Sequence, residues 1–304
     1  QLLCRVGRKR KVNYEGTANE PPAGSIHKKN DSPDKVIDLT DLDWNRLWKA
    51  KLAARRSVSR DAAFWDGRAS AFAKSTDTIY CDKLLSLMNP EAHWTVYDMG
   101  CGSGALAIPL AQRVSSVTAV DFSARMLDVI NDRCKIDGIS NVKTILGSWE
   151  DDWAQLGVGN YDIVIASRSL VVDDLQSCIL KLAAVAKKRV YIVTAVGDGP
   201  HDRRLFTALG RPFEPGPDYI YYYNVLYHLG IRAQLSFIEE IRDRTFESPD
   251  DAAESMKWML GKLTALEEKK LAAYVGKNLI QRLGKWRLSY SQTIRWAVKK
   301  KKKE

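Results

Sequence analysis

The sequence predicts an α/β fold: a doubly wound, mostly parallel sheet of seven strands, with helices before it and a helical insertion ahead of the last strand. Two observations support this prediction. From residue 92 onward, short apolar stretches alternate with helical segments at a regular pitch, which is typical of a parallel sheet with helices on both faces. The apolar stretches are also nearly continuous, as expected for strands that are buried on both sides.

Five apolar stretches are predicted to form the parallel part of the sheet. Helical segments follow the first, second and fourth of them. Because parallel strands point the same way, their carboxyl ends meet at one edge, and ligands bind at that edge in sheets of this kind. In chain order the stretches are TVYDMG, SVTAVDF, VKTILGS, YDIVIASRSL and RVYIVTAV.

The remaining segments differ in composition. The initial stretch is rich in Gly, Pro, Asn, Lys and Ser and lacks apolar periodicity, which predicts disorder. DLDWNRLWKAKLAARR and DAAFWDGRASAFA place apolar residues at helical spacing, and a third helix is predicted over 76–88. AQLSFIEEIRDRTF and WRLSYSQTIRWAVKK are predicted as strands that close the sheet. The predicted organisation is a disordered segment (1–36), a helical lid (37–90), a main domain (91–298) with helical additions (212–230 and 248–284), and a lysine-rich tail (299–304).

Most of the net charge of +10 lies at the two ends of the chain. The first twelve residues carry five basic groups, and the last six carry five lysines and one glutamate. The middle of the chain is therefore nearly neutral. We interpret the basic ends as solubilising or frayed segments, with a weak contact to phosphate or to a membrane surface as the alternative.

Membrane and metal-binding functions are not indicated. The longest apolar runs are about six to eight residues, too short to cross a bilayer. The five cysteines are scattered and form no CxxC pair. This pattern predicts reduced thiols in a cytoplasmic protein, with neither a disulfide framework nor a metal site.

A glycine-rich turn, DMGCGSG, directly follows the first predicted strand. Gly100, Gly102 and Gly104 allow a tight turn and a close approach of a ligand to the backbone. Asp121 ends the second strand, where a carboxylate can accept hydrogen bonds from both ribose hydroxyls of a nucleoside. Asp98 precedes the turn; its charge would repel a pyrophosphate and suits a ligand with an amino group and a sulfonium.

With these motifs the sequence resembles the class I S-adenosylmethionine-dependent methyltransferases, which have a Rossmann-like fold. Their first motif is an apolar strand that ends in an acidic residue, followed by a G-x-G-x-G turn. ILGSWEDD and YDIVIASRSL resemble the third and fourth motifs of the family. The likeness is closest to small-molecule methyltransferases of the ubiquinone- and menaquinone-biosynthesis type.

This resemblance implies S-adenosylmethionine as the cofactor and a set of residues around it. The glycine turn would border the methionine part, Asp121 would hold the ribose, and Phe122 and Met126 would cover the adenine. Many relatives have an aspartate in the third motif, where Ser148 stands in this chain. The implied cofactor-binding residues are Asp98, Gly100, Cys101, Gly102, Gly104, Asp121, Phe122, Met126, Ser148, Trp149, Glu150 and Ser167.

Candidate acceptor-binding residues follow the fourth and fifth strands. Arg168 is a candidate catalytic residue after the fourth strand, although it could equally be a solvated turn residue. His201, in GDGPHDRR after the fifth strand, is a candidate general base. Further candidates for the acceptor site are Ser169, Arg203 and Arg204, the last two as an anion clamp.

Two aromatic segments complete the candidate site. In the stretch PGPDYIYYYNVLYHLGI, the tyrosines are interpreted as helix packing or as the wall of a substrate pocket. FWDGRASAF resembles the lid of small-molecule methyltransferases, although a plain helix that packs on the core fits equally well. The candidates from these segments are Tyr219, Tyr222, Tyr223, Trp65 and Arg68.

The predicted function is methyl transfer from S-adenosylmethionine to a small-molecule acceptor, which the arginines suggest could be anionic. An RNA methyltransferase is the alternative, because the chain ends are basic. Against it, the fourth motif lacks the Asn/Asp-Pro-Pro-aromatic sequence that is used on base amino groups, and no RNA-binding module is recognisable. A cofactor-binding module without catalysis is a third possibility. We expect truncation of the lysine run at 299–303 to weaken the substrate affinity of an RNA enzyme and to leave that of a small-molecule enzyme nearly unchanged.

Overall fold

The computed structural model describes residues 38–55, 61–74 and 78–302. The segment predicted to be disordered, 1–36, lies outside the described residues. The chain divides into two compact units, 1–41 and 42–304. Of the first unit, the described part contains a single turn of 3₁₀ helix, Leu39–Asp41. All elements below belong to the second unit.

Four helices precede the sheet. They are α1 (Trp44–Arg55), α2 (Ala62–Asp66), α3 (Ala69–Lys74) and α4 (Thr78–Met88). The stretch DAAFWDGRASAFA forms two short helices because α2 ends at Gly67, whose N–H bonds the carbonyl of Ala63. Helix α1 is fixed to the core by Trp48, which is fully buried and donates from Nε1 to the carbonyl of Val172 over 2.7 Å.

Seven strands form the main sheet, in the order β3-β2-β1-β4-β5-β10-β6. Strands β1 to β5 are parallel, and β10 lies antiparallel between β5 and β6. The predicted fold class is confirmed. The strands are β1 (Thr95–Met99), β2 (Ser116–Asp121), β3 (Val142–Leu146), β4 (Tyr161–Ser167), β5 (Ala186–Ala195), β6 (Gln234–Arg242) and β10 (Gln292–Lys302).

Five helices connect the strands. Four of them begin at a side chain that accepts a hydrogen bond from the backbone of the first turn: Ser123, Asp174, Asp202 and Asp218. Such caps satisfy the N–H groups that the helix itself leaves unbonded. Apolar clusters cover both faces of the sheet, as the continuous apolar strands predict. The helices are α5 (Ala107–Ala111), α6 (Ala124–Ile136), α7 (Leu175–Val185), α8 (Arg203–Leu209) and α9 (Tyr219–His228).

The predicted helical insertion is partly a sheet. It contains α10 (Pro249–Lys257) and α11 (Ala265–Asn278), but its end forms strand β8 (Leu279–Arg282). This strand pairs with β9 (Lys285–Leu288), which also pairs with β7 (Thr245–Phe246). Helices and small sheet share an apolar core of their own, in which the buried side chains include those of Phe246, Met256 and Leu271. The prediction of helix up to residue 284 was therefore wrong at its end.

The lysine-rich segment is not a tail in its described part. Strand β10 continues to Lys302, and Lys299 lies between Ile192 of β5 and Leu235 of β6. Its side chain is buried, and Nζ donates to the hydroxyl of Thr194. Burial lowers the pKa of Lys299 to about 7, with the charge of Asp218 as a smaller opposing effect. The interpretation of this segment as a solubilising end was wrong because strand pairing holds it in the sheet.

Within the described residues, no helix is both long enough and apolar enough to cross a membrane. The same part of the chain contains no cluster of His, Cys, Asp and Glu side chains that could hold a metal ion. Four cysteines, Cys81, Cys101, Cys134 and Cys178, are buried thiols.

Candidate functional site

The glycine turn after β1 folds back onto the end of β2. Gly100, Gly102 and Gly104 have φ angles of 71°, 54° and 81°, a region that L side chains adopt only with strain. The N–H groups of Gly100 and Cys101 both donate to the carbonyl of Val120, over 2.8 and 3.0 Å. The turn therefore depends on its glycines and on the neighbouring strand.

The three glycines face different surroundings. A Cβ atom added to Gly100 would lie 2.3 Å from Cβ of Ser169, and one added to Gly104 would lie 2.9 Å from Cγ1 of Ile130. A Cβ atom on Gly102 would meet no atom within 4 Å. Gly100 and Gly104 are thus required for packing, whereas Gly102 borders open space where a ligand could approach the backbone.

Asp121, at the end of β2, holds the turn. One carboxylate oxygen accepts from the N–H of Gly102 (2.8 Å) and the other from the N–H of Ser123 (2.9 Å). Burial raises the pKa of Asp121, and these backbone hydrogen bonds oppose the shift. Each carboxylate oxygen can accept a second hydrogen bond, so the group can still receive the two hydroxyls of a ribose.

Asp98 lies inside the sheet beside the turn. Its side chain is buried, and Oδ1 has no hydrogen-bond partner in the part of the chain that the structure describes. Burial raises the pKa of Asp98 to about 7; the charge of Asp121 adds to the shift, and that of Arg168 opposes it. A buried carboxylate oxygen without a partner is costly, and it fits a ligand that brings a cationic donor.

Helices α2 and α3 cover this edge. Asp66, at the end of α2, accepts from the hydroxyl of Ser123 over 2.6 Å and from the N–H of Arg125 over 3.3 Å. The hydroxyl of Ser103 in the glycine turn donates to the carbonyl of Phe72 in α3 over 3.4 Å. Asp66 and Ser103 were not singled out from the sequence. Asp66 lies within the quoted segment FWDGRASAF, but a lone acidic residue there carries no local signal.

The predicted adenine contacts are divided between surface and core. Phe122 is 37% exposed, whereas Met126 is buried. Glu150 is exposed, and Trp149 is buried against Trp153, with the ring centroids 5.7 Å apart. In the same loop the N–H of Ser148 donates to the carboxylate of Asp151 over 2.7 Å. Phe122 is thus the apolar side chain of this set that faces outward.

The end of β4 is tied to the end of β1 and to α4. Ser169 donates from Oγ to the carbonyl of Met99 over 2.6 Å, and the hydroxyls of Ser167 and Tyr80 are 2.6 Å apart. Arg168 has a φ angle of 62°. Its guanidinium carbon lies 4.2 Å from the ring centroid of Tyr80 and 5.2 Å from that of Trp296. Arg168 therefore stacks on aromatic rings and is not a plain solvated turn residue.

His201 lies in an aromatic environment after β5. Its ring is 5.5 Å from Trp258 and 6.0 Å from Phe213, between centroids. Its Nδ1 is 3.2 Å from the carbonyl oxygen of Asp198. Because a carbonyl can only accept, Nδ1 carries the proton in the neutral ring and Nε2 is the basic nitrogen. Trp258 and Phe213 were not predicted, because they are distant from His201 along the chain.

The two arginines predicted as an anion clamp already have carboxylate partners. Arg203 bonds both oxygens of Asp198, over 2.9 and 2.7 Å. Arg204 donates from Nε to Asp202 over 3.1 Å and lies over the ring of Tyr290. These carboxylates raise the pKa values of both arginines. Both arginines thus anchor the start of α8, and their role as a clamp for an anionic ligand stays a prediction.

The tyrosines of α9 do not form one wall. Tyr222 is buried, donates to the carbonyl of Leu170 over 2.7 Å and packs 4.8 Å from the ring of Trp48. Tyr219 meets Phe237 edge-on at 5.5 Å, and Tyr223 is half-buried. Tyr222 therefore follows the packing alternative.

Comparisons with known proteins agree with this geometry. A family model described as a methyltransferase domain matches residues 96–189. An uncharacterized protein of Haemophilus influenzae is 37% identical over 246 residues, which cover 80% of this chain and 91% of that protein. At this identity and coverage the two chains belong to one family.

Two further matches are shorter or structural. A magnesium-protoporphyrin O-methyltransferase of Rhodobacter capsulatus is 33% identical over 137 residues, 45% of this chain and 56% of that protein. A solved structure from Bacillus halodurans, described as a methyltransferase, superposes with a TM-score of 0.51 at 16% identity, over 73% of this chain and 97% of that one. It shows the shared fold. The chain therefore has the Rossmann-like methyltransferase fold, its residues 96–189 match a methyltransferase domain, and it belongs to one family with the Haemophilus influenzae protein.

Proposed function

We propose that the protein transfers the methyl group of S-adenosylmethionine to a small-molecule acceptor. The observation that carries the proposal is the pairing of two features at one edge of the sheet. Asp98 presents a buried carboxylate oxygen without a partner among the described residues. Gly102, in the same DMGCGSG motif, faces open space. In a cofactor with an ammonium group and a nucleoside, the ammonium would bond the Asp98 oxygen and the molecule would occupy the open space at Gly102.

Each part of the cofactor has a proposed partner. Asp98 would pair with the amino group, since a buried carboxylate is stabilised by a charged hydrogen-bond donor. Asp121 would accept the ribose hydroxyls, and the exposed ring of Phe122 would pack on the adenine. The cofactor supplies a methyl carbon that is activated by the sulfonium, so the protein contributes alignment and exclusion of water.

On the acceptor side, His201 is the proposed general base, if the reacting group needs one. With Nδ1 bonded to the carbonyl of Asp198, the ring is oriented and Nε2 can take a proton. Arg168 is proposed to act at the same edge, where its turn joins β4 to the glycine turn through Ser169.

A small molecule is favoured over RNA. The basic chain ends were the reason to consider RNA, but at the C-terminal end Lys299 is buried within the sheet. The likeness to the quinone-biosynthesis type rests on sequence motifs alone. The buried cysteine thiols support the further proposal of a reducing, cytoplasmic setting.

The proposal is tested with S-adenosylmethionine that carries a labelled methyl group. The protein is incubated with a fractionated metabolite extract and, separately, with an RNA pool; Asp121→Ala serves as the matched inactive control. We expect label to appear in a low-molecular-mass fraction with the wild type alone. Label transferred to RNA, or to neither pool, would contradict the small-molecule function.

A further inference from the structure

A row of aromatic side chains runs from the helices over the glycine turn to the inserted helix α10. At its start, the ring of Trp65 meets Phe64 at 5.2 Å and Phe72 at 5.9 Å, both edge-on. The guanidinium carbon of Arg68 follows, 5.8 Å from the ring centroids of Phe64 and Phe72. On its other side it lies 5.5 Å from the ring of Trp258, which comes directly after α10.

The row continues from Trp258 into the loop after β5. His201 is 5.5 Å from Trp258 and 6.0 Å from Phe213, and Phe213 is 4.8 Å from Phe206. Apart from His201, all aromatic members of the row are partly exposed. Phe206 and Trp258 also pack against the apolar core of the inserted elements, but each keeps part of its surface exposed. Partly exposed rings gathered from separate segments are typical of a ligand-binding surface.

Arg68 gives this aromatic row a charge for which the described residues supply no counter-ion. Burial lowers the pKa of its guanidinium, and no carboxylate of the described residues forms an ion pair with it. The nearby arginines differ: Arg203 is paired with Asp198, and Arg204 with Asp202. A partly desolvated cation favours an anionic partner. The anion would therefore come from the ligand.

The row also begins beside the cofactor edge. Phe72 accepts a hydrogen bond from Ser103 of the glycine turn, and Asp66, two residues before Arg68, accepts one from Ser123 at the start of α6. A molecule stacked on the row therefore lies next to the segment that is proposed to hold the cofactor.

We propose that this row binds the methyl acceptor and that the acceptor is a planar aromatic carboxylate. The faces of the rings accept a flat aromatic molecule by stacking. The guanidinium of Arg68 is planar and matches a carboxylate through two parallel hydrogen bonds. This inference rests on the proposed function, because it names the chemical class of the molecule that receives the methyl group.

The experiment uses naphthalene derivatives as probes for the full-length protein in the presence of S-adenosylhomocysteine. Naphthoate carries the carboxylate, naphthamide is its neutral counterpart, and naphthylmethylammonium reverses the charge. Binding is followed by quenching of tryptophan fluorescence and by saturation-transfer NMR. Because charge-assisted hydrogen bonds are strong, naphthoate should bind at least about tenfold more tightly than either other probe.

Variants of Arg68 identify the source of that preference. In Arg68→Gln, naphthoate should bind no better than naphthamide, and in Arg68→Glu naphthylmethylammonium should become the preferred probe. Arg232→Gln is the matched control, because Arg232 also stacks on a ring, that of Tyr227 at 4.1 Å; it should keep the naphthoate preference.

The inference is overturned if naphthoate shows no preference over naphthamide, if no probe binds, or if the preference survives in Arg68→Gln. Calorimetry of S-adenosylhomocysteine binding is measured in the same samples. If the wild type and all Arg68 variants bind S-adenosylhomocysteine, a failed probe experiment means that the acceptor class is wrong. If the wild type does not bind S-adenosylhomocysteine, the proposed function itself is contradicted.

Discussion

The proposed binding edge has two halves, a cofactor half and an acceptor half, that are assembled in different ways. The cofactor half comes from one stretch, 98–123, and is held through backbone groups, such as the N–H of Gly102 on Asp121. The acceptor half joins α2 and α3, the loop after β5 and α10 through contacts between side-chain rings and through the guanidinium of Arg68 over the ring of Trp258. The backbone turn needs only its glycines, the neighbouring strand and one carboxylate, whereas the ring contacts depend on each side chain. The first half therefore suits a shared cofactor and the second a specific acceptor.

Two of the buried ionisable groups, an acid and a lysine, extend this comparison. Asp98 lies on β1 in the cofactor half, and Lys299 lies on β10 beyond β5. Burial disfavours the charged form of both, so it raises the pKa of Asp98 to about 7 and lowers that of Lys299 to about 7. The acid has an oxygen without a described partner and is the proposed partner of the cofactor ammonium. The lysine already bonds Thr194, which is typical of a structural group.

The largest expected effect concerns Lys299 and the free energy of unfolding. The unfolded chain holds the lysine proton up to pH 10.5, whereas the folded chain loses it near pH 7. The unfolded state binds more protons in this interval, so stability should increase from pH 7 to 10.5, by up to about 5 kcal/mol, and be lost again as the pH falls. Urea unfolding of the wild type and of Lys299→Met over this range measures the difference, which should shrink toward high pH.

The control for this prediction is Lys143→Met, which replaces an exposed lysine on β3. Its stability difference from the wild type should not vary with pH. If Lys299→Met differed from the wild type by a constant amount over the whole range, the lysine would be charged in the folded protein and the argument would fail.

The next largest effect is the pH dependence of cofactor binding through Asp98. Without the cofactor, this carboxyl is protonated below about pH 7. It must lose its proton to pair with the cofactor ammonium, so the affinity should rise up to about tenfold per pH unit between pH 5 and 7. Calorimetry with S-adenosylhomocysteine checks this. Asp98→Asn should bind more weakly and with a flatter profile; an unchanged slope in that variant would assign the pH dependence to another group.

Much of the fold could be predicted because its signals are local. Each parallel strand is a continuous apolar stretch, and the strand–helix alternation indicates a parallel sheet with helices on both faces. Two elements could not be found in this way. The end of β10 consists of lysines and is a strand only because β5 and β6 flank it. The sheet β7-β9-β8 is formed by short pieces that are stabilised by each other and by α10 and α11.

In the candidate site, too, residues that are close in sequence could be predicted and contacts between distant residues could not. Gly100, Gly102 and the two acids Asp98 and Asp121 lie within one stretch and follow from residue type and spacing. Trp258 is distant in sequence from both Arg68 and His201, the two groups that it contacts. No pattern within a window of the sequence relates them. The sequence also cannot show that nearby carboxylates already pair with Arg203 and Arg204, which were predicted as an anion clamp.

A third effect, also on cofactor affinity, is expected for Asp121→Ala. The variant loses the proposed hydrogen bonds to the ribose and the bond from Gly102, so cofactor affinity should fall about tenfold to a thousandfold, at about 1.5–3 kcal/mol or more for the charge-assisted bonds. Calorimetry measures it. Asp162→Ala is the control: this carboxylate also accepts a backbone N–H, that of Thr95, but at the start of β4. Equal losses in both variants would mean that Asp121 acts only through stability.

The smallest effect separates the two roles of glycine within the turn. Gly102→Ala adds a methyl group to open space, so only its positive φ angle should cost stability, about 1–2 kcal/mol. Gly100→Ala has the same backbone strain plus a collision with Ser169, and Ser169→Gly should restore part of its stability while leaving Gly102→Ala unimproved. Urea unfolding measures both.

Cofactor affinity should show the reverse order. Gly102→Ala should lose more affinity than Gly100→Ala, because the methyl group at Gly102 occupies the space through which the ligand reaches the backbone. If Gly102→Ala bound S-adenosylhomocysteine as the wild type does, the open space beside Gly102 would not belong to the cofactor, and the cofactor half would have to be placed elsewhere along the edge.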